Sequence, residues 1–202
     1  MKILSIVALL LLGSALAGIA VGADSGPVRI RGDIVSYAGG TLTVHRRSGD
    51  TVSITLIAGA PISAVRKMTL ADIKPGSFIG TAARTDVNGN LIAQEVVVFP
   101  ESARGTGEGH YAWDLGPQSS MTNANVDAVV QSTSGSDLHL SYKGGTNTVT
   151  VPPNAPIVTF IPATPADLTA GKEVFAVATM DPRGHYTAVR IVVEKDGVVP
   201  PM

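Results

Sequence analysis

PISAVRKMTLADIKPGSFIGTAARTDVNGNLIAQEVVVF (residues 61–99) and PIVTFIPATPADLTAGKEVFAVATMDPRGHYTAVRIVVE (residues 156–194) are one pattern written twice. Aligned without a gap they share 12 of 39 positions, including Pro61/Pro156, Thr69/Thr164, Asp72/Asp167, Gly76/Gly171, Asp86/Asp181, Gly89/Gly184 and Val97/Val192. Chance gives about one identity in fifteen, so a duplication is the economical explanation. Within each copy, Thr69-Leu-Ala-Asp72 or Thr164-Pro-Ala-Asp167 predicts one helical turn, capped by the Thr and ended by the Gly. Ile73 and Leu168 then face inward as plugs of a barrel end. Two strands follow, over 78–85 with 91–99 and over 174–180 with 186–194. They are joined by the turn sequences Asp86-Val-Asn-Gly89 and Asp181-Pro-Arg-Gly184.

Upstream the two copies align more loosely, yet read alike. Alternating runs predict strands at 28–37, 41–46 and 52–56, and again at 125–132, 137–142 and 148–151. Glycine-bearing turns such as Ala38-Gly-Gly40 and Lys143-Gly-Gly145 separate them. Three strands, a helical turn and two strands suit a small five-stranded barrel of OB-like order. The expected fold class is all-β, with two tandem five-stranded OB-like small barrels, each with one short helical turn, joined by an irregular segment. The expected boundaries are a signal peptide at 1–23, a first barrel at 24–100, a linker at 101–124 and a second barrel at 125–202.

Each unit resembles a bacterial exported family of unknown function built from small OB-like barrels. Carrying the resemblance are Gly32-Asp-Ile34, Leu42-Thr-Val44, Thr69-x-x-Asp72-Ile-Lys-Pro-Gly76 and Asp86-Val-Asn-Gly89-Asn-Leu91-Ile-Ala93-x-x-Val96. The second copy lacks the G-x-I opening and has Tyr186 in place of the Leu. These are turn and core residues, so the resemblance implies a fold and no active site.

Composition narrows the function. Lys+Arg total 15 against 16 Asp+Glu, which leaves no general basic face for nucleic acid. There is no cysteine, hence no disulfide, thiolate chemistry, Cys-ligated metal or lipoprotein anchor. Met1-Lys2 followed by the apolar run from Ile3 reads as a secretory signal, expected to be cleaved after Ala23, with Ala17 or retention as alternatives. No second apolar run is long enough to span a bilayer, so the expected location is periplasmic or secreted.

The linker holds the one dense aromatic cluster, His110-Tyr111-Ala-Trp113-Asp114, with the sole Trp. Its four named residues are the candidate site for a protein partner or small ligand of the cell envelope, received in a groove between the barrels. The expected protein is a non-enzymatic binding or scaffold module. The alternative is periplasmic handling of copper or zinc by His110, Asp114 and Met121, since imidazole and thioether favour copper. His110, Asp114 and Ser119 or Ser120 contain the residue types of a hydrolase triad, but no G-x-S-x-G accompanies them.

Overall fold

The computed structural model describes residues 26–132 and 135–201; the expected signal at 1–23 lies outside them. The described chain is all-β. The first strands are β1 (Val28–Ala38), β2 (Thr41–Arg46), β3 (Thr51–Leu56), β4 (Ile62–Lys67), β5 (Phe78–Thr85) and β6 (Leu91–Val98). They are followed by β7 (Gly109–Ala112), β8 (Ser119–Ser132), β9 (Gly135–Tyr142), β10 (Gly145–Val151), β11 (Ile157–Pro162), β12 (Glu173–Met180) and β13 (Tyr186–Val193). Single 3-10 turns at Leu70–Asp72 and Pro165–Asp167 stand where the helical turns were expected. In each the aspartate carboxylate accepts the N–H of the preceding threonine, at 2.8 Å for both Thr69 and Thr164. That bond holds the Asp72 and Asp167 carboxyls below their ordinary range.

A closed five-stranded barrel is present, but its strands come from both ends of the chain. β1 pairs antiparallel with β2 and with β12, β2 with β3, β12 with β13, and a parallel β13–β3 ladder completes the ring. The strands β5, β6, β8, β9 and β10 are joined in the same manner, with a short parallel β10–β6 ladder. The boundaries expected at 24–100 and 125–202 therefore need correction: β1–β3 pair with β12 and β13, not with β5 and β6.

The cause is a pair of strands that the alternating pattern did not reveal. After β3 the chain does not turn back. It runs as β4 in parallel beside β13 and antiparallel to β11, while β11 runs in parallel beside β6. These two straight segments carry the chain across from one strand set to the other. The stretch 101–124 also needs correction, because it is not irregular throughout: β7 lies within it and β8 begins at Ser119.

Two interiors result. Ile30, Ile34, Leu42, Val44 and Ile54 pack with Val174, Ala176, Ile191 and Val193, and Leu168 lies among them. Ile79, Ala83, Ala93 and Val96 pack with Val126, Leu138, Leu140 and Val149, and Ile73 lies among them. Each fully buried aliphatic side chain contributes roughly 1.5–3 kcal/mol. The third cluster joins Val65, Val97, Val158, Phe175 and Val192, which alternate with inward residues and so face outward into the seam.

The barrel end near β1 leaves no room at Gly32. A Cβ there would run into the carbonyl oxygen of His45 and lie 2.8 Å from Arg46 Cα. Both obstacles are backbone, so Gly32→Ala forces the β1–β2 ladder apart. The expected cost is about 3 kcal/mol, measured as a lowered urea midpoint.

Candidate functional site

The site is built by β7, which β8 holds as an outer strand. Residues 120–123 of β8 pair with β7 on one edge while 119–125 pair with β5 on the other. Arg104 pins the approach, donating to the Gly76 carbonyl at 2.8 Å and to Asn125 Oδ1 at 2.7 Å.

Strand alternation then separates the candidate residues. His110 stands opposite Thr122, its Nδ1 2.8 Å from Thr122 Oγ1 and 3.0 Å from the Asn147 amide nitrogen. Its ring stacks near Tyr142, with centroids 6.3 Å apart. Tyr111 points to the other face, opposite Met121, and its hydroxyl accepts from Asn123 Nδ2 at 3.2 Å. Trp113 packs against the seam cluster, and the Arg29 guanidinium lies 3.8 Å above its ring. Asp114 accepts both N–H groups of the Arg31 fork, at 2.9 and 3.1 Å.

Tyr111, Trp113 and Met121 thus come together, and His110 and Asp114 do not join them. The trio lines a half-open cavity of about 140 Å³ with Phe99, Phe175, Val97, Val177, Asn123 and Arg190. Trp113 Nε1 and Asn123 Oδ1 are buried with no hydrogen-bond partner among the described residues. The trio His110, Asp114 and Met121 drawn for copper or zinc does not converge: His110 and Met121 face opposite sides of the β7–β8 ladder, and Asp114 is engaged by Arg31. Among the described residues no group of three His, Asp or Glu side chains is placed to hold a metal. The triad types are not assembled either, since Asp114 is engaged by the Arg31 fork and Ser119 Oγ is directed to the carbonyls of Trp113 and Gly116.

One residue escaped the sequence reading. Glu95 of β6 sits opposite Ala82 on the seam side and is 1% exposed. Neither carboxylate oxygen has a hydrogen-bond partner among the described residues. Burial pushes its carboxyl up to about 7; Arg31 and Arg47 pull it down, and Asp114 pushes it up. A Glu among valines in a late strand reads as an outward, solvated position. The available signal was the residue aligned with it in the stretch 156–194, Arg190, another charge in the same place of the pattern.

Compared with known proteins, the chain matches no family model, no curated protein and no solved structure.

Proposed function

We propose that this chain is an exported, non-enzymatic binding module, grown from a duplicated OB-like unit, that receives one apolar or aromatic group of a protein partner or small ligand in the seam cavity. The observation that carries the reading is the cavity itself. Its walls are mostly aromatic, valine and methionine side chains, and two buried polar atoms of its lining residues have no partner among the described residues. A site of this make-up binds an apolar group and orients it by one or two hydrogen bonds. At about 140 Å³ it fits a single ring, since a buried apolar cavity of about 150 Å³ accepts benzene.

The test uses benzene as probe and the Met121 methyl as reporter. Titration of the mature chain should move the Met121 carbon–proton resonance saturably. In Val177→Phe, where the added ring fills the cavity, the shift should disappear while the melting temperature holds. A Met121 signal indifferent to benzene would end this reading.

A further inference from the structure

We propose that the concavity between Arg29, Arg31, Arg46 and Arg47 binds a tetrahedral oxyanion, a phosphate or sulfate group, and that the Asp114 carboxylate is its resident competitor. The proposal stands on residues other than the wall of the seam cavity and does not depend on that site.

Four guanidiniums line one open concavity of about 440 Å³, together with Ser48, Asp114 and Leu115. Their convergence follows from the strands. Arg29 and Arg31 are two residues apart on β1, so both project outward while Ile30 enters the core. Arg46 and Arg47 come from the end of β2, and the Arg47 N–H donates to the Arg31 carbonyl at 3.0 Å, which clamps the hairpin end against β1.

Charge is not balanced there. Arg31 is paired with Asp114, Arg46 with Asp50, and Arg47 with Glu173 at 2.6 Å. Among the described residues the Arg29 guanidinium has only a distant share of Asp114, at 4.0 Å, and otherwise lies over the Trp113 ring. Among the described residues, four cations therefore meet these three carboxylates; the Glu95 carboxyl also feels Arg31 and Arg47, but burial holds its proton up to about 7. Asp50 and Glu173 hold their arginines from outside, whereas Asp114 lines the concavity and takes the place an incoming anion would take. A carboxylate offers two oxygens, and one guanidinium fork satisfies it. A tetrahedral oxyanion offers up to four oxygens and a second charge, so it matches the Arg31 fork and still has acceptors for Arg29, Arg46, Arg47 and the Ser48 hydroxyl. The Asp114 side chain is 42% exposed, so on displacement it can turn into water.

The test is calorimetric titration of the mature chain with inorganic phosphate at low salt. Binding is expected, and it should weaken as sodium chloride is added. Asp114→Asn removes the competitor and should tighten binding by about threefold. Arg46→Gln with Arg47→Gln, both near the hairpin turn, should weaken it by about tenfold while circular dichroism at the titration temperature still shows the folded chain. A parallel sedimentation with vesicles of equal parts phosphatidylglycerol and phosphatidylcholine, against phosphatidylcholine alone, separates the sources. Phosphate binding that follows both variants supports a soluble phosphoryl or sulfuryl ligand. Arginine-dependent sedimentation with phosphatidylglycerol vesicles, without heat from free phosphate, supports a headgroup as the source. The proposal is overturned by no binding in either arm, by binding that the arginine variant leaves intact, or by an Asp114→Asn chain that binds no tighter.

Discussion

Residues 26–100, expressed without the rest, are expected not to fold as a monomer. The fragment keeps β1–β3 but loses β12 and β13, the partners on both open edges. Ile30, Ile34, Leu42, Val44 and Ile54 would lose Val174, Ile191 and Val193 from their shared interior. At roughly 2 kcal/mol for each lost aliphatic partner, the deficit is about 6 kcal/mol, comparable with the whole stability of a small domain. The exposed edges of β1 and β3 would also invite pairing with other chains. Size-exclusion chromatography with light scattering, followed by urea unfolding read by circular dichroism, checks this. The fragment should be unfolded or self-associated, and mixing it with residues 101–201 should restore a single transition with the Trp113 signal. A monomeric 26–100 that melts sharply would refute the exchanged pairing.

The all-β class and ten of the strands were legible because alternation and turn chemistry are local. Asp86, Gly89, Asp181 and Gly184 stand in turns where their side-chain and positive-φ preferences put them. Partner choice was not legible. Periodicity states which face of a strand is buried, not which neighbour buries it. The late strands of the two aligned stretches offer similar inward sets, with Ile79, Ala83 and Ala93 in one and Val174, Ala178 and Ala188 in the other. What decides the pairing is β4 and β11, whose mixed burial gives no period of two. The candidate site was legible in part for the same reason. Aromatic clustering pointed to Tyr111 and Trp113, but the alternation that turns His110 away requires knowing that 109–112 is a strand. The arginine concavity joins residues 29–31 to 46–47 and receives Asp114 from far along the chain, so no local motif announces it.

Glu95→Gln is expected to leave stability unchanged near pH 4.5 and to raise it by about 3 kcal/mol at pH 8. Unfolded, the Glu95 carboxyl ionises around 4.5; folded, it holds its proton up to about 7. Between those values the unfolded chain releases the proton and the folded chain does not, so wild-type stability falls as pH rises, by about 1.4 kcal/mol for each pH unit. Above about 7 both states are ionised and the loss stops growing. The amide keeps the shape and buried polarity of the protonated acid but has no charge to desolvate, so the variant lacks this slope. Groups present in both proteins cancel in the difference, the four histidines included. Paired urea titrations from pH 4.5 to 8 measure it, and a difference flat across that range would refute the assignment. The same carboxyl feels the charges of Arg31, Arg47 and Asp114. Asp114 raises the Glu95 value, so Asp114→Asn should move the slope to lower pH. A bound oxyanion in the concavity, more negative than the carboxylate it displaces, should move it the other way. The pH at which stability stops falling therefore reports the charge held by Arg31 from a site that touches no ligand.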